Sequence, residues 1–494
     1  MITPATIAPL EHPDRLFING DWVKPAGTGM IDVIDSASEN IFARVAEAGN
    51  GDIDRAVVAA RRAFDEGPWP RMSHSQRAGF LHAIADELDA RVTDLAHIWT
   101  SESGILASDA SQGSAGLGPF FRYYADLAET FPFVERHTPS QGNVGLLVRE
   151  PVGVVAAIIP WNGPAFLLAA KCAPALLAGC TIVLKASPEA PASAYLFAEI
   201  CGKVGIPKGV VNVLTADREV SELLVRHSGV DKVTFTGSTA AGRRIASICG
   251  DRVARCTLEL GGKSAGVILD DYDLESAATT IAAAAPYLAG QVCASLTRII
   301  VSRSRHDAFV EALAASFGSL RVGDPNDAAS QMGPLATGRQ RERVESCVAQ
   351  GKADGALLVA GGKRPPQFDR GFYFEPTVFA NVDNNLAIAQ KEIFGPVLCV
   401  IPVDDERDAI KIANDTIYGL NASVFTNDID RAYSFGRKLR SGTVGHNSYR
   451  NDFTIAFGGF KQSGIGREGG REGLLPFLES KTMILDAMPR GLDI

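Results

Sequence analysis

The feature that most constrains the fold is a regular alternation of short apolar runs and helix-like segments that begins after Glu150. Apolar or β-branched runs of strand length occupy 152–159, 181–184, 210–214, 232–235 and 255–260. The helix-like segments between them occupy 165–177, 190–204, 219–227 and 239–248. Strands that alternate with helices pair in parallel, because each helix carries the chain back across the sheet. The chain is therefore predicted to be an α/β protein with a doubly wound parallel sheet, which binds ligands at the carboxyl ends of its strands.

Two further regions surround this alternation. Residues 52–127 are rich in alanine with helical periodicity, and we expect them to cover one face of the sheet. A second alternation starts near Gly266 and predicts a separate α/β lobe. Its strand-like runs lie at 299–301 and 398–403, and its helix-like runs lie at 305–316 and 337–351.

Two β-like runs, at 144–149 and 482–485, fall outside both alternations and look exposed. Proteins usually pair or cover such edges, since an unpaired strand presents a row of free backbone donors and acceptors. We therefore expect neither run to have a partner in either lobe, and both to join a second copy of the chain in a homodimer or homotetramer.

Composition limits the possible partners and compartments. At 494 residues the chain should form two or three domains. Its 48 basic and 57 acidic residues give a net charge of −9 without a dense basic run, so nucleic acid is not an expected partner. The eight cysteines include no Cys-x-x-Cys pair and the histidines no His-Glu-x-x-His motif, so neither a metal site nor a disulfide framework is predicted. Reduced thiols and an N-terminus without a signal-peptide pattern favour a cytoplasmic location.

One stretch has the composition of a membrane span. Between Pro151 and Leu184 the only charged residue is Lys171. Prolines at 160, 164 and 174 interrupt this stretch, however, so no continuous helix of about 20 apolar residues fits. We interpret it as a buried strand, turn, helix, turn and strand, and predict no membrane contact.

A thiol and a carboxylate stand thirty-four residues apart in glycine-bearing segments, Cys293 in AGQVCAS at 289–295 and Glu259 in LELGGKS at 258–264. Such a pair suggests covalent catalysis, in which the thiol attacks a carbonyl and the carboxylate activates a thiol or a water. Taken alone, a cysteine is more often a buried and inert group.

Two turns follow predicted strands. TGSTAAG at 236–242 opens a helix whose free N–H groups and dipole favour a phosphate, or else Ser238 is a plain helix cap. PWNGP at 160–164 places Asn162 where its carboxamide could donate to an oxyanion, or else it bonds its own backbone in a proline-punctuated turn.

Two phosphate-loop matches are rejected. GIGREG at 464–469 fits the dinucleotide pattern, but only twenty-five residues follow it, too few for a βαβ unit of about 30 residues. We expect a flexible loop against the active site instead. GGKS at 261–264 resembles the end of a phosphate loop, but Thr257 stands where that loop needs its other glycine.

Together the motifs resemble those of the NAD(P)-dependent aldehyde dehydrogenase superfamily. They follow the family's order and spacing, and the likeness extends from about residue 16 to the end of the chain. The matching segments are PWN at 160–162, KAS at 185–187, FTGS at 235–238, LELGGK at 258–263, GQVC at 290–293, KEIFGPV at 391–397 and FGGFKQSG at 457–464. Seven motifs in order make coincidence negligible.

The resemblance implies an aldehyde dehydrogenase-like α/β fold. It would combine a doubly wound parallel-sheet cofactor domain, an α/β catalytic domain and a small β oligomerisation element. The cofactor domain would comprise 1–128 and 152–260, the catalytic domain 261–465, and the oligomerisation element 129–151 and 477–494.

The resemblance also implies roles for individual residues. Cys293 would be the nucleophile, Glu259 the general base, and Asn162 an oxyanion donor beside the Cys293 N–H, while Lys171 and Glu468 resemble a pair that carries protons away from Glu259. The cofactor, NAD or NADP, would contact Ile159, Trp161, Lys185, Ser187, Gly237, Ser238, Gly242, Leu260, Glu392 and Phe394. Lys185 and Glu392 would hold its riboses, Ser238 its pyrophosphate and Phe394 its nicotinamide.

The implied chemistry is oxidation of an aldehyde to a carboxylic acid. The Cys293 thiolate would add to the aldehyde to form a thiohemiacetal, whose oxyanion meets donors worth about 3–4 kcal/mol each. Hydride would pass to the nicotinamide, and water deprotonated by Glu259 would cleave the resulting thioester. A base that acts near neutral pH needs a raised pKa, so we expect Glu259 in a partly dry pocket.

The chain departs from the family pattern near the nucleophile and the cofactor lysine. Leu288 stands five residues before Cys293, where the family usually has Asn, so packing behind the nucleophile should differ. Pro188 stands three residues after Lys185, where NAD-preferring members often have Glu, and Glu189 follows it. NAD is favoured, and the preference between NAD and NADP stays open.

A further departure concerns the substrate. Gly163 and Ala170 are small where many relatives have aromatics, and on a helical period they share a face with Phe166 and Leu167. This pattern predicts room for a bulky apolar or aromatic aldehyde, although the small residues could instead serve close helix packing. No basic residue is evident on that face, which disfavours an anionic semialdehyde unless Arg450 supplies the charge. The substrate entrance is expected near Leu167, Val292, Ser295 and Phe453.

Two other functions are considered. A CoA-acylating or acyl-phosphate-type relative would share the fold, but those branches typically lack the carboxylate at the position of Glu259. A non-catalytic binding protein could retain the fold, but the presence of Cys293, Glu259, Asn162 and Glu392 together weighs against it.

Overall fold

The computed structural model describes residues 8–490. The first seven residues of the predicted cofactor domain and the last four of the predicted oligomerisation element lie outside the described residues.

The chain begins with two β-hairpins and five helices. The hairpins are β1 (Leu16–Ile18) with β2 (Asp21–Val23), and β3 (Met30–Ile34) with β4 (Ile41–Ala46). The helices are α1 (Asn50–Asp65), α2 (His74–Ala90), α3 (Val92–Ser103), α4 (Ala107–Ala115) and α5 (Leu117–Thr130). Ser73 and Gln76 form a reciprocal capping box, which fixes the start of α2.

The predicted alternation is confirmed. Two strands precede it, β5 (Val134–His137) and β6 (Val144–Pro151). It then runs β7 (Val154–Ile158), α6 (Pro164–Ala178), β8 (Thr181–Ala186), α7 (Ala192–Lys203), β9 (Val211–Thr215), α8 (Arg218–Arg226), β10 (Lys232–Thr236), α9 (Thr239–Asp251) and β11 (Arg255–Glu259).

The second half of the chain contains a second alternation and a C-terminal strand. Its elements are β12 (Ser264–Ile268), α10 (Leu274–Ala284), β13 (Leu296–Ser302), α11 (His306–Gly318), α12 (Gly338–Ala353), β14 (Leu357–Ala360), β15 (Thr377–Ala380), α13 (Ala387–Gln390), β16 (Val397–Val403), α14 (Glu406–Asn414), β17 (Asn421–Phe425), α15 (Ile429–Gly436), β18 (Thr443–His446), β19 (Gly464–Ile465), α16 (Gly470–Leu474) and β20 (Leu478–Leu485). Short 3-10 turns span Trp69–Arg71, Tyr287–Gly290, Arg303–Arg305, Lys461–Ser463 and Leu475–Phe477.

Two large sheets organise these elements. The first has the order β19-β11-β10-β7-β8-β9-β1-β2, and its strands β7 to β11 are parallel to one another. The second has the order β14-β15-β16-β13-β12-β17-β18 and is parallel except for β14. Every residue of β7, β8, β9 and β10 is buried, which explains why their sequences are continuous apolar runs rather than alternating ones.

The Ala-rich region does not cover only one face of the first sheet, as the sequence had led us to expect. Helices α2, α3 and α5 pack with α6 and α7 on one face. Helix α1 packs with α8 and α9 on the opposite face, through Ile53, Ala56 and Val57. Two prolines, Pro68 and Pro70, interrupt the helical run between α1 and α2 and allow the chain to change faces there.

The two β-like runs expected to lack a partner pair with each other. β20 lies antiparallel to β6 in an unbroken register from Leu478–Pro151 to Leu485–Val144, and β5 flanks β6 on its other side. β6 is therefore the central strand of a third sheet, separate from the sheets of both lobes. It has no partner in either lobe, as expected, but the prediction that it is an edge strand was wrong. Local sequence patterns do not reveal pairing between such distant segments. The edge strands of this sheet are β5 and β20.

The apolar stretch that begins at Pro151 forms β7, α6 and β8, as predicted. No helix among residues 8–490 is long and apolar enough to cross a membrane.

Candidate active site

The carboxyl ends of β7, β8 and β10 meet at one edge of the first sheet and bring several predicted cofactor residues together. Ile159, just after β7, donates its N–H to the Lys185 carbonyl at 3.1 Å. Lys185 lies near the end of β8, where burial lowers the pKa of its ammonium to about 8. β10 leads through Gly237 to Ser238, which stands exposed before α9. The arrangement is that of a ligand site at the ends of parallel strands.

Ser238 caps α9, because its side chain accepts from the Ala241 N–H at 3.3 Å. One cap occupies one of the four free N–H groups of a first helical turn, so capping does not exclude a phosphate at the others. A Cβ atom at Gly242 would lie 2.4 Å from Leu260 Cδ2, so glycine allows this turn to pack directly against the residue that follows β11.

Two aromatic rings meet at the same edge. The Trp161 and Phe394 rings are edge-to-face, with centroids 5.5 Å apart and planes at 83°. Phe394 has a positive φ of 63°, and the Gln340 side chain donates to its carbonyl at 2.7 Å. Gln340 was missed by the sequence motifs, since it lies in α12, far from them along the chain.

The two glycines of LELGGK permit close approach of two other motifs. A Cβ atom at Gly261 would lie 2.3 Å from Glu392 Oε2, and one at Gly262 would lie 2.3 Å from the Cys293 carbonyl oxygen. The Gly262 N–H donates to Glu392 Oε1 at 3.0 Å. Burial raises the pKa of Glu392 to about 7, despite this hydrogen bond. The glycines thus join the cofactor edge to the cysteine segment.

Cys293 follows the Tyr287–Gly290 turn and packs against an apolar cluster of Ala294, Leu420 and Phe457, as Phe453 also does. Burial raises the pKa of its thiol above the ordinary range, and the negative charges of Glu392 and Glu259 add to this shift. The thiol is therefore protonated at neutral pH and must lose its proton before or during attack on a carbonyl.

Asn162 lies beside the cysteine segment. Its side-chain Nδ2 donates to the Gln291 carbonyl at 3.0 Å, rather than to its own turn. The Gln291 side chain is itself fixed, accepting from the Ala336 N–H at 2.9 Å and donating to the Leu288 carbonyl at 2.9 Å. The structure therefore brings the predicted oxyanion donor and the predicted nucleophile together.

Glu259 is more deeply buried than the partly dry pocket we expected. It is only 2% exposed, and neither carboxylate oxygen has a hydrogen-bond partner within the described chain. Burial raises its pKa well above the usual range and the Glu468 carboxylate raises it further, whereas Lys171 and Arg467 oppose the shift. Because its pKa lies well above that of an exposed glutamate, this carboxylate is a stronger proton acceptor.

Lys171 and Glu468 form a buried ion pair, as their predicted partnership requires. The Lys171 ammonium also donates to Thr236 Oγ1 at 2.7 Å, at the end of β10. Glu468 belongs to the GIGREG segment, which we had expected to be a flexible loop. That expectation was wrong, because β19 pairs antiparallel with β11 at Leu258 and Glu259 and completes the edge of the sheet.

Ser187 and Glu189 meet just after β8. The Ser187 hydroxyl donates to a Glu189 carboxylate oxygen, and Arg339 forms an ion pair with the other. Although burial opposes it, these hydrogen bonds lower the pKa of Glu189, so the carboxylate is ionised at neutral pH.

An apolar cavity of about 250 Å³ lies beside the cysteine segment. Val292 and Ser295, two of the predicted entrance residues, line it, but Leu167 and Phe453 do not. The rest of the lining consists of Thr280, Ile281, Ala283, Ala284, Ala285, Tyr287, Leu296, Phe425 and Tyr449. Phe453 instead stacks on Phe457 with ring centroids 4.3 Å apart. Ala170 is fully buried in the core, where it supports close helix packing.

Two residues of α3 contact the same site without belonging to any recognised motif. Trp99 Nε1 donates to the Asn162 carbonyl at 2.7 Å, and Ser103 Oγ donates to the Trp161 carbonyl at 2.6 Å. Their spacing of four residues places them on one face of the helix. The sequence offers no other sign that these two residues contact the Trp161–Asn162 turn.

Comparison with known proteins identifies the class. The model of the aldehyde dehydrogenase family matches residues 22–483. A geranial dehydrogenase of Castellaniella defragrans is 40% identical over 96% of this chain and 99% of its own length. A 3-succinoylsemialdehyde-pyridine dehydrogenase of a Pseudomonas species is 43% identical over 95% and 98%.

Solved structures agree. An aldehyde dehydrogenase of Mycobacterium tuberculosis complexed with NAD+ superposes with a TM-score of 0.93 at 43% identity, covering 97% of this chain and 99% of its own. A betaine aldehyde dehydrogenase of Staphylococcus aureus, also with NAD+, gives a TM-score of 0.94 at 36% identity, covering 97% and 96%. Fold and comparisons define an oxidoreductase. The chain belongs to the aldehyde dehydrogenase family and oxidises an aldehyde to a carboxylic acid.

The raised pKa of Cys293 predicts how its reactivity depends on pH. Alkylation by iodoacetamide should be slow near neutral pH and accelerate by about tenfold per pH unit into the alkaline range, since only the thiolate reacts. Removing a negative neighbour lowers the pKa, so Glu392→Gln should shift the alkylation profile to lower pH. Mass spectrometry of the labelled peptide measures both, with Cys293→Ala as the control. A rate that is flat above neutral pH would contradict the raised pKa.

Proposed function

We propose that Cys293 is the nucleophile of this aldehyde dehydrogenase, that Glu259 is its general base, and that Asn162 and the Cys293 N–H bind the oxyanion. The observation that carries the proposal is that Asn162 contacts the cysteine segment at the Gln291 carbonyl, while Gly262, three residues after Glu259, approaches the Cys293 carbonyl. Three motifs that are distant in the sequence thus meet at the segment that carries the thiol.

The strand ends fit a dinucleotide. The buried Lys185 ammonium and the Glu392 carboxylate would hold hydroxyl groups, the first turn of α9 a pyrophosphate, and the Trp161 and Phe394 rings the sides of the nicotinamide. Ile159, Ser187, Gly237, Gly242 and Leu260 would complete the walls. When bound, the nicotinamide accepts the hydride that leaves the substrate carbon.

Addition at Cys293 and hydrolysis of the thioester each require a proton to move. The thiol loses its proton to water as it adds to the carbonyl carbon, and Asn162 Nδ2 would stabilise the oxygen that becomes negative. Glu259 then takes a proton from the water that cleaves the thioester, which its raised pKa favours. The Lys171–Glu468 ion pair would pass that proton on, and the influence of both charges on the pKa of Glu259 supports this role.

NAD is the proposed cofactor in preference to NADP. Glu189 is ionised and lies at the end of β8 near Lys185, where a carboxylate would accept a ribose hydroxyl and repel a phosphate on it. The NAD complexes of the Mycobacterium and Staphylococcus relatives support this choice. Comparing kcat/KM for NAD and NADP tests it directly.

The assignment of the base predicts a burst. Glu259→Gln should slow thioester hydrolysis far more than hydride transfer, giving one equivalent of NADH in a fast phase and a slow steady rate. Cys293→Ala should abolish turnover while retaining NAD binding. Stopped-flow NADH fluorescence, with the carboxylic acid quantified in the absence of CoA, measures these effects. If both phases of Glu259→Gln fall together, Glu259 acts on the thiol instead, and a CoA requirement would favour the acylating alternative.

An apolar or aromatic aldehyde is the proposed substrate class. The cavity next to Val292 and Ser295 is lined almost entirely by apolar side chains, and the Phe453 and Phe457 rings stand near Cys293. Each methylene buried there contributes about 0.8 kcal/mol, so a chain of several carbons gains over acetaldehyde. The names of the geranial and pyridine-semialdehyde relatives are compatible with such a pocket.

The cavity predicts an order of substrates. Hexanal and benzaldehyde should have higher kcat/KM than acetaldehyde or succinic semialdehyde. Ala284→Phe, which fills the cavity, should remove most of this advantage while leaving acetaldehyde unaffected. Thr279→Phe on the exposed face of the same helix serves as the control. A highest kcat/KM for acetaldehyde or for the semialdehyde would show that the proposed substrate class is wrong.

We also propose a cytoplasmic homodimer or homotetramer. All eight cysteines are free thiols, which suits a reducing compartment. β20 is largely exposed, and the apolar Met483 and Ile484 are 39% and 57% exposed on it. A sheet edge with exposed apolar side chains is a typical place for a second copy to pair.

Light scattering tests the assembly. The mass in dilute buffer should be two or four times 52.3 kDa, and Ile484→Asp should shift it toward the monomer by placing a charge in the contact. Lys352→Asp on the exposed part of α12 is a control that should leave the mass unchanged. A wild-type mass of one chain would refute the proposal.

A further inference from the structure

The indole of Trp99 lies behind the two segments that carry Asn162 and Cys293. Trp99 is 7% exposed and belongs to a small apolar cluster between α3, α4 and the Tyr287–Gly290 turn. The other members of this cluster are Ala96, Ile105, Ala110, Leu288 and, at its margin, Val292. Helix α3 and the residues just before the nucleophile therefore share one apolar cluster.

The same indole holds the turn that carries Asn162. Its Nε1–H donates to the Asn162 carbonyl at 2.7 Å, while the Asn162 carboxamide donates to the Gln291 carbonyl at 3.0 Å. Asn162 is thus held from both sides, by Trp99 through its backbone and by the cysteine segment through its side chain. A change in the position of the indole would move both contacts.

Two departures from the family pattern meet at this ring. A Cβ atom at Gly163 would lie 4.0 Å from Trp99 Cζ2, so any larger side chain at this position would begin next to the indole. Leu288 has left-handed backbone angles of φ 50° and ψ 36°, which suit Asn better than Leu. The leucine instead contributes an apolar side chain to the Trp99 cluster.

We propose that Trp99 is a positioning residue for carbonyl addition, which holds the Asn162 carboxamide in register with Cys293 through its N–H and through the apolar cluster that it shares with Leu288. The proposal rests on the proposed role of Asn162 as an oxyanion donor. Hydrogen-bond donors act on a developing oxyanion only when they are already held at the required distance, so a displaced donor lowers the rate without abolishing binding.

The neighbouring contact supplies a matched control. Ser103 lies one turn further along α3 and donates to the Trp161 carbonyl at 2.6 Å, on the cofactor side of the same turn. Ser103→Ala should weaken NAD binding with little effect on the first turnover at saturating NAD. Trp99→Phe, which retains a ring but lacks the N–H donor, should do the reverse.

The experiment is a double-mutant cycle on the full-length protein. The rate of the first NADH turnover at saturating NAD and aldehyde is measured for wild type, Trp99→Phe, Asn162→Ala and the double variant, with NAD affinity and thermal midpoint measured for each. We expect Trp99→Phe to slow the first turnover by about tenfold in the wild-type background and by less than twofold in the Asn162→Ala background. The Trp99→Tyr variant, which also lacks the indole N–H, repeats the comparison with a second ring.

The outcomes separate this proposal from the proposed function. Equal slowing by Trp99→Phe in both backgrounds, or slowing that follows only the loss of thermal stability, would overturn the role of Trp99. A first turnover that Asn162→Ala leaves unchanged would overturn the oxyanion assignment itself. An unchanged first turnover in Trp99→Phe, beside a slowed Asn162→Ala, would overturn the Trp99 proposal alone.

Discussion

The rest of the structure depends on the burial of both faces of the first sheet. Because β7, β8, β9 and β10 are buried along their whole length, helices must cover each face and polar ligands have access only at the strand ends. Parallel pairing places the carboxyl ends of these strands at a single edge. The proposed cofactor residues that follow β7, β8 and β10, the Asn162 turn and the end of the Glu259 strand lie at this edge because the strands are parallel.

Removal of water from that edge then sets the chemistry. The thiol of Cys293 and the carboxylate of Glu259 both have a raised pKa, for which burial is the largest cause, so each binds a proton more strongly than the same group would in water. The buried Lys171–Glu468 pair tolerates the same environment because each charge is paired. A dry site strengthens the effect of a fixed donor such as Asn162 on an oxyanion, but it also requires that donor to be held accurately.

Glycine positions and an unrelated helix supply that accuracy. Gly261 and Gly262 allow Glu392 and the Cys293 carbonyl to approach where any side chain would collide. Helix α3 holds the Asn162 turn through two hydrogen bonds. Trp99 donates to the Asn162 carbonyl, and Ser103 donates to the Trp161 carbonyl. In the proposed mechanism the motif residues provide the reacting groups, whereas residues outside the motifs hold them in place.

The sequence by itself determined the five parallel strands of the first sheet, and the four helices between them, to within a few residues. It also placed the chain in its family, because apolar periodicity and motif spacing are local properties. It was wrong where a prediction required knowledge of distant partners. The crossing of α1 to the opposite face, the pairing of β6 with β20 and the pairing of β19 with β11 each join segments whose local patterns carry no record of one another. The depth of Glu259 and the contact of Trp99 with Asn162 were likewise decided only by tertiary packing, since burial and hydrogen bonds between remote residues exist only once the chain is folded.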